Sequence, residues 1–207
     1  KLLETADVVI YAGSLVNPEL LAGLKANCRV YNSALMTLEE VLEVIREAEE
    51  QGLDTVRLHT GDPCLYGAIR EQMEAMDRLG ISYDLCPGVS SFCGAAEALG
   101  MEYTLPGVSQ SVVITRMAGR TPVPDRESVS CFAAHGATMV VFLSAGLLDG
   151  LQRELLDGGY QPSTPAAIVY KATWPEEKTV ICRLDQLADT AGREGISKTA
   201  LVIVGDS

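Results

Sequence analysis

The sequence is poor in histidine, which most metal sites and catalytic triads use, and in aromatic residues. Its 207 residues include only two histidines, His59 and His135, and aromatic residues make up 5% of the chain. The six cysteines are irregularly spaced and no Cys-x-x-Cys pair occurs, so the usual zinc-binding spacing is missing. The motifs Gly-x-Ser-x-Gly and His-Glu-x-x-His are missing as well. We therefore predict no metal site and no catalytic triad, and we nominate no general base.

Positive charge is also scarce. Lysine and arginine number 16 against 28 acidic residues, which gives a formal net charge of −12. This excess argues against nonspecific binding to nucleic acid or to an anionic membrane surface. Apolar runs are short, so we expect no membrane-spanning helix. With 47% hydrophobic residues the chain is expected to be globular, and unpaired thiols suit a reducing, cytoplasmic compartment.

Strand and helix patterns alternate along almost the whole chain. Thr37 and Glu40 form a capping box that predicts the start of a helix, and Gly52 predicts its end. Pro106 and Gly107 then mark a linker. Because helices join most of the strands, we predict an α/β protein with two lobes and mostly parallel sheets. The N-terminal α/β domain would comprise residues 1–107 and the C-terminal one residues 108–207. The predicted strands are residues 8–12, 28–32, 55–58, 83–86, 111–115, 138–143, 166–170, 178–182 and 200–204; the predicted helices are residues 38–51, 68–79, 91–99, 128–135, 147–156 and 184–191.

Three strand ends carry small or stiff residues, namely residues 61–63, 87–88 and 144–146. Ligands of open α/β sheets lie beyond the carboxyl ends of strands, and glycine allows the backbone to approach a ligand closely. Each turn taken alone is better interpreted as a tight connection between a strand and a helix. The three together predict a cleft for a small molecule. The residues by themselves indicate no more than a two-lobed α/β protein with such a cleft.

Two motifs indicate a known family. The stretches HTGDPCLYG at residues 59–67 and CPGVSSFCGAAEALG at residues 86–100 resemble, in this order and spacing, the tetrapyrrole methyltransferase family. Four more stretches resemble one member of that family, and the resemblance runs along the whole chain. It implies two α/β domains with S-adenosylmethionine between them, a tetrapyrrole substrate and a homodimer. These four stretches are YAGSLVNPELL at residues 11–21, TRMAGRTPVP at 115–124, AAHGATMVVFLS at 133–144 and YKATWPEE at 170–177.

The resemblance also implies a set of site residues. The substrate carries many carboxylates, which the guanidinium groups of Arg116 and Arg120 could bind bidentately. A solvated surface charge is an equally good interpretation of both arginines. Methyl transfer from a sulfonium needs alignment more than it needs an acid or a base, so no catalytic residue is assigned. The positions that match the family's cofactor contacts are Thr60, Gly61, Asp62, Leu65, Ser90, Ser91, Leu143 and Ala172.

One departure from the family pattern leaves alternatives open. The family begins with a strand and a loop containing Gly-Pro-Gly-Asp, whereas this sequence begins at Lys1 in what should be the following helix. The resemblance therefore predicts that the first strand and its Gly-rich loop are missing. The alternatives are a methyltransferase of the same fold with another target (a different tetrapyrrole position, an rRNA ribose or a modified histidine), a truncated cofactor-binding fragment without turnover, and an assembly component. The charge of −12 argues against the RNA substrate.

Overall fold

The computed structural model describes residues 1–119 and 121–207. Contacts group the chain into two compact units, Lys1–Ser90 and Ser91–Ser207. The boundary predicted near residue 107 lies inside the second unit. A division into independently folding domains near residue 107 stays a prediction. Among the described residues, no helix is both long and apolar enough to cross a bilayer.

The first unit contains a three-stranded parallel sheet. Its strands are β1 (Val8–Tyr11), β2 (Arg29–Asn32) and β3 (Thr55–Leu58), in the order β2-β1-β3. In the register of the central strand, Val8 lies opposite Arg29 on one side and Thr55 on the other. The helices are α1 (Leu2–Thr5), α2 (Leu38–Glu50) and α3 (Arg70–Leu79). The carboxyl ends of all three strands therefore lie at one edge of this sheet.

Helix α2 begins at the predicted capping box. The Thr37 hydroxyl accepts a hydrogen bond from the Glu40 amide at 3.2 Å, and the Glu40 carboxylate accepts one from the Thr37 amide at 2.7 Å. The predicted helix start is thus confirmed, and the apolar face of α2 covers the sheet. The buried cluster between them consists of Val8, Ile10, Val41, Ile45, Ala48 and Ile81.

One predicted strand is absent from the structure. Residues 81–90 contain no helix or strand, and residues 83–86 pair with no described strand. The prediction of a strand at residues 83–86 is therefore wrong. Alternating side chains indicate which faces a segment would present, but a strand also requires a neighbouring edge with which to form hydrogen bonds.

The second unit contains a five-stranded mixed sheet in the order β4-β5-β8-β6-β7. Only β4 and β5 pair in parallel, and the other three pairs are antiparallel. The expectation of parallel sheets thus holds for the first sheet and for one pair of the second. The elements are α4 (Ser91–Leu99), β4 (Val112–Arg116), α5 (Val129–Ala133), β5 (Thr138–Phe142), α6 (Leu148–Asp157), β6 (Pro165–Tyr170), β7 (Lys178–Arg183), α7 (Leu187–Glu194) and β8 (Ala200–Val204).

Strand directions in the second sheet bring several loops to one edge. Strands β5 and β6 are both antiparallel to β8, so they point the same way as β4. The carboxyl ends of β4, β5 and β6 therefore lie at the edge where β8 begins. At that edge the Lys171 amide donates to the Thr199 carbonyl at 2.9 Å. Beneath it lies a core that includes Met139, Leu151, Leu155, Ile168 and Leu187, all fully buried.

Candidate active site

In the first unit, the candidate site is built on the turn that follows β3. Gly61 is exposed and has a φ of 61°, a left-handed conformation that glycine adopts without a steric cost. The next residue, Asp62, accepts a hydrogen bond from the Cys64 amide at 2.8 Å through Oδ1. Its carbonyl accepts another from the Leu65 amide at 3.2 Å. The turn thus leaves Thr60 and Gly61 exposed and fixes the backbone of Leu65.

Residues 87–90 lie directly against this turn. Asp62 Oδ2 accepts a hydrogen bond from the Gly88 amide at 3.0 Å. A Cβ on Gly88 would lie 2.0 Å from the Gly61 carbonyl oxygen, so the two backbones are in contact and no larger residue fits. These backbone hydrogen bonds, Gly88 first, lower the pKa of Asp62 below its ordinary value. Ser90 is buried, with 9% of its surface exposed. The structure therefore brings residues 60–65 and residues 87–90 together.

Arg57, which belongs to no sequence motif, lies on β3 near the same sheet edge. Its guanidinium donates hydrogen bonds to the Ile10 carbonyl at 2.9 Å, the Ser33 hydroxyl at 2.9 Å and the Gln72 side-chain oxygen at 3.2 Å. Desolvation lowers its pKa, and within the described part of the chain it forms no ion pair. One arginine in a short apolar strand was the only signal in the sequence. Arg57 ties β1, β3 and α3 together at the edge of the sheet.

His59 lies two residues beyond Arg57. Its Nε2 is buried and has no hydrogen-bond partner among the described residues. Desolvation, followed by the positive charge of Arg57, lowers the pKa of His59 to about 4. The ring is therefore neutral at pH 7. It can bind a ligand as a neutral donor or acceptor but cannot supply a positive charge.

In the second unit, strained backbone is found at the edge where β4, β5 and β6 end. Leu143, directly after β5, has a φ of 53°, and 60% of its surface is exposed. Lys171 and Thr173, after β6, have φ values of 47° and 70°. Left-handed conformations are rare for residues other than glycine, and such strain concentrates at functional sites. Ala172 lies between the last two residues, so two predicted cofactor positions lie at this edge.

Helix α4 packs against the loop that follows β6. A Cβ on Gly94 would lie 2.8 Å from Thr173 Cγ2 and 3.7 Å from the Ala172 Cβ. The glycine allows α4, which begins at Ser91, to lie close to the strained segment. The structure therefore places Ser91 on an element in contact with Ala172, and Leu143 at the same edge of the sheet.

The predicted substrate residue Arg116 ends β4. Its guanidinium donates hydrogen bonds to the carbonyls of Thr121 and Pro122, both at 3.0 Å, and to the Met117 carbonyl at 3.2 Å. The buried Ser144 hydroxyl accepts from the Met117 amide at 2.9 Å, which ties the same loop to the end of β5. Arg116 therefore shapes its own loop, and its contact with a substrate stays a prediction. Arg120 lies outside the described residues.

The family is shown by comparison with known proteins. A model of the tetrapyrrole (corrin/porphyrin) methylases matches residues 1–188. The chain belongs to this family, as the motifs predicted. Among similar curated proteins, the cobalt-precorrin-4 C(11)-methyltransferase of Methanocaldococcus jannaschii is 50% identical over 206 residues, which are 100% of this chain and 80% of that protein. The precorrin-4 C(11)-methyltransferase of Mycobacterium tuberculosis (strain H37Rv) is 41% identical over 100% of this chain and 82% of its own length.

Solved structures agree with this assignment. The X-ray structure of a cobalt precorrin-4 methyltransferase, a cobalamin biosynthetic enzyme, superposes with a TM-score of 0.95 at 42% identity, covering 99% of this chain and 85% of that one. The uroporphyrin-III C-methyltransferase of Thermus thermophilus, complexed with S-adenosyl homocysteine, gives a TM-score of 0.82 at 27% identity, covering 99% and 88%. The predicted α/β fold is confirmed.

Methyltransferases of this family use S-adenosylmethionine, and features of each unit suit it. The first unit offers the exposed residues Thr60 and Gly61, and a ligand can approach the Gly61 backbone because that residue lacks a side chain. The second offers the exposed apolar side chain of Leu143 and the small Ala172. When bound, the cofactor supplies an electrophilic methyl group. Within residues 1–119 and 121–207, no three His, Cys, Asp or Glu side chains are placed to share a metal ion.

Proposed function

We propose that this chain transfers a methyl group from S-adenosylmethionine to C-11 of cobalt-precorrin-4 or precorrin-4 in cobalamin biosynthesis. The observation that carries the proposal is a gap in sequence identity. Relatives named for the C-11 reaction are 50%, 43% and 41% identical over 99–100% of this chain. The uroporphyrinogen-III C-methyltransferase of Bacillus subtilis, which is named for another tetrapyrrole, is 28% identical. The gap favours the C-11 reaction over methylation of a different tetrapyrrole.

The chemistry of methyl transfer agrees with the kinds of residue present. An in-line displacement is accelerated mainly by holding the two reacting carbons in register and by excluding water. In this proposal, the cofactor site comprises Thr60, Gly61, Asp62, Leu65 and Ser90 in the first unit, together with Ser91, Leu143 and Ala172 in the second. None of them is assigned as an acid or a base.

Substrate binding in this proposal uses Arg116 and Arg120. The protein has a net charge of −12, so an acidic tetrapyrrole needs local cations to offset the repulsion. Arg116 donates to three carbonyls of its own loop, and a guanidinium has five N–H donors. Donors therefore remain for a carboxylate of the substrate.

The assembly and location are also parts of the proposal. The homodimer rests on the family resemblance alone. A cytoplasmic location rests on the cysteines, since all six are free thiols and free thiols persist in a reducing compartment.

The test is product analysis with ¹³C-methyl-labelled S-adenosylmethionine. The chain is incubated separately with cobalt-precorrin-4, precorrin-4 and, as a control, uroporphyrinogen III. We expect NMR to show one labelled methyl on C-11 of one or both precorrins and none on the control. A label on another carbon would identify a different methyltransferase of this fold. Saturable 1:1 binding of S-adenosylhomocysteine in a calorimeter without any transfer would identify a cofactor-binding fragment.

A further inference from the structure

The Asp62 carboxylate joins two segments that are distant in sequence. Oδ1 accepts from the Cys64 amide at 2.8 Å, inside the turn that follows β3. Oδ2 accepts from the Gly88 amide at 3.0 Å, 26 residues along the chain. Each oxygen is thus oriented by a different backbone segment, and the side chain spans the space between them.

The backbone around this carboxylate is closely packed. A Cβ on Gly88 would lie 2.0 Å from the Gly61 carbonyl oxygen, and one on Gly67 would lie 2.0 Å from the Pro63 carbonyl oxygen. Both distances are too short for any side chain, so the turn and residues 87–90 can pack in this way only with glycine at positions 67 and 88. Their alignment depends on hydrogen bonds, because residues 81–90 belong to no strand and have no ladder to fix them.

The ionised form of Asp62 suits this bridging role. Hydrogen bonds from the Gly88 and Cys64 amides lower its pKa below the ordinary value of 3.8, so the carboxylate is charged at neutral pH. A charged acceptor forms stronger hydrogen bonds with backbone amides than a neutral one.

We propose that Asp62 is a positioning residue, which holds residues 60–64 against residues 87–90 and so acts on S-adenosylmethionine binding through the backbone rather than by contact. This inference rests on the proposed function. It differs from a direct cofactor contact because the hydrogen bonds to the two protein amides are present before any cofactor binds. Loss of the bridge should therefore loosen residues 87–90 even when no cofactor is present.

The experiment compares Asp62→Asn with the wild-type chain. Asparagine has one acceptor oxygen and one NH₂ group, which cannot accept, so in either orientation it can bond only one of the two amides and no longer bridges them. We expect hydrogen–deuterium exchange in peptides covering residues 86–90 to become at least tenfold faster without cofactor, and the calorimetric Kd for S-adenosylhomocysteine to rise about tenfold. Asp84→Asn is the matched control, because Asp84 is exposed and makes no hydrogen bond or ion pair with the described residues. This control should change neither quantity.

The two measurements separate the competing explanations. Weaker binding with unchanged exchange would overturn the inference in favour of direct contact. Faster exchange with unchanged binding would overturn the link to the cofactor. A wild-type chain that does not bind S-adenosylhomocysteine would instead overturn the proposed function. The exchange data of the same proteins would then still show whether Asp62 aligns residues 87–90.

A measurement on the wild type covers the case in which the variant does not fold. During acid titration, the Gly88 and Cys64 amide proton resonances should move together, with one midpoint below 3.8. Separate midpoints, or no shift at Gly88, would overturn the bridge.

Discussion

At the scale of the residue, His59 should make the stability of the fold depend on pH. Its pKa is lowered from 6.5 to about 4 by desolvation and by Arg57, so the unfolded chain binds a proton at a pH where the folded chain does not. Stability is therefore retained above pH 6.5 and falls as the pH drops from about 6.5 to about 4. Between pH 7 and pH 5 we expect a loss of about 2 kcal/mol from this residue, on the basis of 1.36 kcal/mol per pKa unit. Urea unfolding of wild type and His59→Gln at both pH values measures it.

The other histidine provides the matched control for this prediction. His135 is exposed, and the chain has no third histidine. His135→Gln should retain the pH dependence of the wild type, whereas His59→Gln should lose the part that His59 contributes. Identical pH dependence of the two variants would show that His59 titrates normally in the folded protein.

At the scale of the element, local patterns predicted most helices and strands but not how the strands pair. The capping box of Thr37 and Glu40 and the β-branched run of β1 are local signals, and both are present in the structure. The direction of β8 is set by its neighbours β5 and β6, which lie far along the chain, so no local pattern indicates that it is antiparallel to both. Residues 83–86 show the same limit, since they were predicted as a strand but pair with none of the described strands.

The contact of α4 with the loop after β6 provides a prediction at this scale. In Gly94→Ala, the new methyl group would lie 2.8 Å from Thr173 Cγ2 and should push residues 172–173 away from α4. We expect the Kd for S-adenosylhomocysteine to rise by roughly threefold to tenfold. Stability should change little, because alanine favours the helix by about 1 kcal/mol and so offsets the clash. Calorimetry and urea unfolding of the same protein measure both effects.

A second substitution tests whether the clash is the cause. Thr173→Ser removes Cγ2 and nothing else, so Gly94→Ala/Thr173→Ser should recover most of the wild-type affinity. Thr173→Ser alone should bind as the wild type does. If the double variant binds no better than Gly94→Ala, the effect does not arise from this contact.

At the scale of the whole molecule, the site was predictable only in part. Composition and turn chemistry predicted a cleft, whereas the individual cofactor positions, such as Thr60 and Leu143, came from the resemblance to the family. The network around Arg57 was missed, because its hydrogen bonds to Ile10, Ser33 and Gln72 join residues that are remote in sequence. The backbone strain at Leu143, Lys171 and Thr173 could not be predicted from the sequence either, since none of these residue types favours a positive φ.

The net charge of −12 supports a final prediction, about salt. S-adenosylmethionine carries one more positive charge than S-adenosylhomocysteine, so the negative field of the protein attracts the cofactor more than the product. Raising the ionic strength from 0.1 M to 1 M shortens the Debye length from about 10 Å to about 3 Å and screens that field. We expect the affinity for S-adenosylmethionine to fall roughly threefold more than that for S-adenosylhomocysteine, as measured by calorimetry at both salt concentrations.

Apart from the sulfonium charge, S-adenosylmethionine differs from S-adenosylhomocysteine only by one methyl group. The product is therefore the control for every effect of salt except the effect on that charge. An equal salt dependence of the two affinities would mean that the net charge is too far from the site to act on the ligand, and that the sulfonium is recognised by local groups alone.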